Sequence, residues 1–249
     1  MAIQPAQPET TAATQRCAAC GGPLIGGYYT LFDRTERYCR NCVAAGQFCA
    51  SCGLPLGPNY WQLHDGRRQC ARCHSTAIYD PDVARTIFDE TVAALIAQFD
   101  LRLNVGVEFR LVDAPTLNAL RSPEGVADGE PAEAPDTGRS LLGVYQRHGR
   151  LRIIYMLYGL PRLLFRITVA HEYAHAWQGE NCPLLRDETL REGFAEWIAY
   201  HHLNWIGSTR AARRMLTEPN LYRPVLDHLL GLERQLGLQG VIEYIKRAE

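Results

Sequence analysis

Apolar positions beyond residue 80 recur mostly at helical spacing. Val83, Ile87, Val92, Leu95, Ile96 and Phe99 mark a core-facing helix that starts at Asp80-Pro81-Asp82 and runs to about Asp100. Val105 to Val112 alternates and reads as a strand. Leu141 to Tyr145 and Leu151 to Tyr158 read as two more strands, joined by a turn around His148-Gly149 into a small antiparallel sheet. Pro161 suits the first turn of a helix to about Gln178, with Gly179 ending it. Leu164, Ile167, His171 and His175 share one stripe of that helix, so the two histidines face inward. A second helix begins near Asp187 or Glu188. Ser208 is placed to cap a third, to about Leu216, and Asp227 to Gly237 and Val241 to Ala248 read as two further helices.

Three stretches lack either period. Residues 1–16 have no apolar core and no basic start, so they read as a disordered leader rather than a signal peptide. Residues 121–139 are rich in Pro, Gly, Ala and acids (Glu124, Asp128, Glu130, Glu133, Asp136), which predicts a mobile, solvated surface loop. Residues 17 to about 75 form a cysteine module of their own.

Composition sets bounds on the rest. The chain has 249 residues, which at roughly 150 residues per domain allows one to two domains. With 47% apolar and 21% charged residues it can bury a core. A net charge of −1 draws the whole chain neither to nucleic acid nor to anionic membrane. No apolar run approaches the roughly 20 residues that span a bilayer, so no membrane association is expected. The expected organisation is a leader (1–16), the cysteine module (17–75) and one larger domain (76–249).

Eight of the nine cysteines fall in four Cys-x-x-Cys pairs. Cys17-Ala-Ala-Cys20-Gly-Gly-Pro-Leu is echoed 32 residues later by Cys49-Ala-Ser-Cys52-Gly-Leu-Pro-Leu. Each is followed by aromatics (Tyr28 and Tyr29; Tyr60 and Trp61) and closed by a second pair. The module is therefore an internal duplication. Without a secretion signal such pairs predict zinc rather than disulfides, and a reducing, cytoplasmic compartment. The expected ligand sets are Cys17, Cys20, Cys39 and Cys42 for one structural zinc, and Cys49, Cys52, Cys70 and Cys73 for the other. His64 and His74 are read as bystanders. Arg34, Arg37, Arg40, Arg67, Arg68 and Arg72 add local positive charge, but acids lie close by and no recognition helix follows, so protein rather than nucleic acid is the expected partner.

The sharpest chemistry is His171-Glu172-Tyr173-Ala174-His175, with Glu192 seventeen residues beyond His175. Residues four apart share a helix face, so both imidazoles can meet one metal ion, and Glu172 can face its open side. Glu192 would complete a three-ligand catalytic zinc site if the two helices pack antiparallel. Glu196, one turn further, is placed to accept a hydrogen bond from a ligand histidine's other nitrogen. Tyr200, His201, His202 and His148 are candidates to steady an oxyanion, Tyr200 first among them. Tyr173 and Trp177 are read as packing residues and Cys182 as an idle thiol.

The paired zinc knuckles resemble a LIM domain, with a longer spacer between modules and a cysteine at position 39 where a histidine is usual. The HExxH motif with a glutamate ligand on the next helix resembles the gluzincins, and Glu192-Gly193-Phe194-Ala195 is similar to the phrase in that clan's aminopeptidases. Taken with Leu157-Tyr158-Gly159-Leu160-Pro161-Arg162-Leu163-Leu164 and Ala170-His171-Glu172 through Ala176-Trp177, the chain resembles the plant DA-type peptidases, which are LIM-containing, ubiquitin-activated and restrict organ growth. The resemblance implies an α+β fold, with a tandem zinc-binding module ahead of a gluzincin-like metallopeptidase domain that is mostly helical toward its C-terminus. It also implies zinc-dependent endopeptidase cleavage of protein substrates. No ubiquitin-interacting motif precedes the cysteines, so activation by ubiquitin is not carried over from the resemblance; a compact bacterial relative is expected, and separately a monomer. The rival reading is a catalytically silent zinc-binding adaptor, against which Glu172 and all three ligands are retained.

Overall fold

A computed structural model of the chain describes residues 15–30, 35–121, 141–217 and 220–249. All but the last two residues of the expected leader, nearly all of the expected acidic loop and Arg34 lie outside these residues. The chain divides into two compact units, one ending at Ala77 and one beginning at Ile78.

The duplication in the first unit extends to individual atoms. The first copy has β1 (Tyr29–Thr30), β2 (Arg37–Tyr38) and α1 (Arg40–Ala44); the second has β3 (Trp61–Gln62), β4 (Arg68–Gln69) and α2 (Ala71–His74). Each strand pair is an antiparallel hairpin. The first Cys-x-x-Cys pair of each copy turns through a glycine in the left-handed region, Gly21 (φ 71°) or Gly53 (φ 67°), whose amide donates to the carbonyl of the pair's first cysteine. The amide of the third cysteine donates to the sulfur of the first, at 3.3 Å for Cys39 to Cys17 and 3.4 Å for Cys70 to Cys49. Arg37 lies over the Tyr28 ring and Arg68 over the Tyr60 ring.

Where the copies differ, they meet. Leu54 stands where the first copy has Gly22, and it is buried with Cys17 and Tyr38 of the other copy. Gly57 approaches Ala19 so closely that an added Cβ would lie 1.8 Å from its carbonyl oxygen. The copies therefore pack together despite the longer spacer.

The second unit opens with α3 (Pro81–Phe99), whose Asp80 carboxylate accepts from the amides of Asp82 and Val83 at 2.8 and 3.2 Å. The helix stops at Asp100, in the left-handed conformation (φ 55°). There follow β5 (Val107–Val112), α4 (Ala114–Arg121), β6 (Gly143–His148), β7 (Leu151–Leu157), α5 (Arg162–Asn181), α6 (Glu188–Trp205), α7 (Thr209–Met215) and α8 (Arg223–Arg247). Strand order is β5-β7-β6. The expected antiparallel hairpin is β6–β7, and β5 adds to the far side of β7 in parallel. Its central place explains why β7 is buried from Arg152 to Leu157, with no charged residue after Arg152. β6 is an edge strand, paired among the described residues only with β7.

Helix α5 packs on this sheet, and α6 packs on α5. Phe165, Val169, Phe194, Trp197 and Ile198 of these two helices are fully buried, and each such side chain contributes roughly 1.5–3 kcal/mol of burial. Gly193 admits α8: a Cβ there would sit 2.2 Å from Val225 Cγ1. Asp187 caps α6 by accepting from the amides of Thr189 and Leu190.

Several local expectations shift. Helix α5 continues past Gly179 to Asn181, so the glycine is not a stop. It makes room for Tyr145, whose hydroxyl would lie 3.3 Å from a Cβ at that position. Ser208 precedes α7 but makes no side-chain cap; its carbonyl accepts from the amides of Ala211 and Ala212. The two expected C-terminal helices follow each other within α8, separated by a break at Gly237 (φ 72°, ψ 173°), and the first begins earlier than expected, at Arg223. Tyr173 is core, its hydroxyl donating to the Leu101 carbonyl at 2.9 Å, and Trp177 is buried. Cys182 is a buried thiol pushed up to about 11 by that burial. No helix among the described residues is long and apolar enough to cross a membrane.

Candidate metal centres and active site

Three clusters among the described residues could hold a metal ion: Cys17, Cys20, Cys39 and Cys42; Cys49, Cys52, Cys70 and Cys73; and His171, His175 and Glu192. Within each, the ligand atoms all lie within 4.8 Å of one another. His64 and His74 belong to none of them.

The cysteine clusters have the dimensions of zinc sites. Tetrahedral bonds of about 2.3 Å put sulfurs roughly 3.8 Å apart. Cys20 and Cys39 Sγ are 3.9 Å apart, and Cys52 and Cys70 Sγ 3.8 Å. Burial alone would raise the pKa of Cys17, but the amides of Cys39, Cys20 and Ala19 outweigh it and bring the thiol down to about 6. Hydrogen bonds from Cys52 and Cys73 likewise lower Cys49, while Cys73 is driven up by Cys49 and Cys52. Four crowded thiols cannot all ionise without a cation to offset the charge, and a divalent ion fits that need.

The third cluster is built by α5 and α6. His171 and His175 are one turn apart on α5, and the short connection after Cys182 brings α6 back so that Glu192 meets both. Its Oε2 lies 3.3 Å from His171 Nε2 and its Oε1 3.2 Å from His175 Nε2; the two Nε2 atoms are 3.1 Å apart. Tetrahedral bonds of about 2.0–2.1 Å to nitrogen and oxygen separate ligand atoms by roughly 3.3–3.4 Å, so this triangle suits one zinc ion. The electrostatics agree. Burial would lower the His171 pKa, but the hydrogen bond to Glu192 and the charges of Glu192, Glu172 and Glu196 lift it to about 9. Burial would raise Glu192, yet the two imidazoles hold its carboxyl far below the usual range. The pocket favours positive charge.

Glu172 is 8% exposed. Its Oε2 accepts the backbone N–H of Tyr145 on β6 at 3.0 Å. Burial raises its pKa, and the histidines oppose that rise. The close approach of β6 depends on Gly143, where a Cβ would meet Glu172 Cγ and Thr168 Cγ2 at 2.8 Å each.

One contact carried no signal in the sequence. Gln178, 2% exposed, lies with Oε1 2.9 Å from His175 Nδ1, and its Nε2 donates to the Arg191 carbonyl at 3.0 Å. Glu196 is buried near His171, on whose ring its charge acts.

The oxyanion candidates separate. His201 is nine residues past Glu192, half a turn round at about 100° per residue. It faces the other way, with Nε2 2.8 Å from Glu233 Oε2 and its ring against Phe99 and Trp197. His148 Nε2 lies 3.0 Å from Gln146 Oε1. His202 is completely buried, with no partner for either ring nitrogen among the described residues. Tyr200 is half-buried, packed against the core and edge-on to His201.

The sequence profile of a family described as DA1-like, Protein DA1, matches residues 142–220. That span runs from β6 to just beyond α7 and contains Glu172 and all three residues of the His171–His175–Glu192 cluster. The chain thus resembles the DA-type family over the part that builds this site. No curated protein and no solved structure matches the chain.

Proposed function

We propose that the second unit is a zinc-dependent endopeptidase acting on protein substrates, with Glu172 as general base. The observation that carries this reading is the triangle of His171, His175 and Glu192, closed to within 3.3 Å, with Glu172 one residue along from the first ligand. Zinc held there would supply an acidified water, of pKa near 7, and polarisation of the scissile carbonyl. Glu172 has one oxygen tied to the Tyr145 amide, which leaves Oε1 to accept the water proton and pass it to the leaving amine nitrogen.

Edge strand β6 runs directly beside the base. Alternation of the antiparallel pairing turns the backbone groups of Gly143 and Arg147, like those of Tyr145, away from β7, where an extended substrate can pair with them. Tyr200 is the proposed oxyanion donor, supported by its position two turns past Glu192 and by the engagement of His201 and His148 elsewhere. Glu196 is proposed to orient His171. The cysteine unit is assigned two structural zinc ions and a role in binding a protein partner, with Trp61, 41% exposed and stacked on His74, as a contact residue. A reducing, cytoplasmic setting suits its thiolates, and the protein is proposed to act as a monomer.

The test is metal content measured beside activity. Three zinc ions per chain, one for each cluster, and cleavage of an unfolded protein that stops on chelation and returns with zinc support the reading. Three zinc ions without cleavage of any unfolded substrate would favour the adaptor.

A further inference from the structure

Gln178 does more than fill space between α5 and α6. The Arg191 carbonyl can only accept a hydrogen bond, so the amide nitrogen of Gln178 must face it, as it does at 3.0 Å. That orients Oε1, itself only an acceptor, toward His175 Nδ1 at 2.9 Å. Nδ1 must therefore carry the ring's proton. The bare lone pair is then on Nε2, which points at His171 Nε2 and Glu192 at 3.1 and 3.2 Å. A flipped amide would set oxygen against oxygen at Arg191, and at 2% exposure no bulk water relieves that clash.

We infer that Gln178 is a positioning residue that fixes the tautomer and rotation of His175 and ties it to the turn of α6 presenting Glu192. Arg191 immediately precedes that ligand, so one amide side chain braces a ligand on each helix. This rests on the zinc site proposed above but not on its chemistry, because the test reads zinc binding and needs no turnover.

The experiment titrates the full-length, zinc-loaded protein with a chelator of known affinity and counts zinc per chain. Gln178→Leu removes both hydrogen bonds at similar volume. It is expected to weaken the histidine–glutamate zinc about 10- to 100-fold while the two cysteine sites hold theirs. Gln178→Glu keeps the acceptor for His175 but sets a carboxylate oxygen against the Arg191 carbonyl, so it is expected to recover part of the affinity rather than all of it. Gln178→Asn, too short to span both partners, replaces the leucine variant if that protein does not fold. Parental zinc affinity in the leucine or asparagine variant overturns the inference. So does equal loss in the leucine and glutamate variants, which would leave Gln178 as packing alone. Absence of proteolysis in the parent would count against the peptidase reading and leave this result standing.

Discussion

The backbone N–H of Tyr145 donates to Glu172 Oε2 at 3.0 Å, so the edge strand and the glutamate that follows His171 are in direct contact. That contact requires Gly143, since a Cβ there would fall 2.8 Å from Glu172 Cγ and from Thr168 Cγ2. Gly143→Ala should push the strand or the carboxylate aside. A displacement near 1 Å at a catalytic group costs about 10²-fold, so kcat/KM is expected to fall by that order with zinc content unchanged. A parental rate would show that the strand yields freely.

The α6–α8 contact makes a separate prediction about stability. With Val225 Cγ1 2.2 Å from a Cβ at position 193, Gly193→Ala overpacks the interface. It is expected to cost about 1–3 kcal/mol in urea unfolding. An unchanged midpoint would mean that α8 can slide.

His202 ties stability to pH. Burial, with a smaller contribution from Arg166, lowers its pKa to about 4, so the ring stays neutral in the fold while the unfolded chain protonates near 6.5. The unfolded state then binds the extra proton. This contribution to stability is complete above about pH 6.5 and declines as pH falls toward 4, by about 3 kcal/mol in all. Urea midpoints for the parent should drop more steeply between pH 7 and 5 than those of His202→Leu. Parallel slopes would contradict the assignment.

In the cysteine unit, Gly57→Ala would place a Cβ 1.8 Å from the Ala19 carbonyl oxygen and force the two copies apart. Faster release of cysteine-bound zinc to a chelator is expected, with the histidine–glutamate zinc unaffected. Parental release rates would show that the copies do not depend on each other.

Much of the site was legible because its spacing is local. His171 and His175 are separated by one helical turn, Glu192 and Glu196 by another, and the cysteine knuckles carry their own repeat. The helix starts at Asp80 and Asp187 were legible too, since a capping carboxylate acts within three residues. What escaped depends on which elements approach each other. Gln178 reads as one more polar helix residue until α6 sets the Arg191 carbonyl beside it. Gly179 looks like a helix stop, and Gly143, Gly193 and Gly57 like ordinary turn or spacer glycines, until Tyr145, Glu172, Val225 and Ala19 are brought against them. The parallel pairing of β5 with β7 joins segments more than forty residues apart, and no local pattern encodes it.

The central claim is that Glu172 moves the proton. Glu172→Gln keeps the side chain's size and removes its ability to accept that proton. Measured on one preparation, the variant should retain three zinc ions per chain while its cleavage of an unfolded protein falls by about 10²- to 10⁴-fold. A Glu172→Gln protein that retains its zinc and cleaves as fast as the parent would contradict the account.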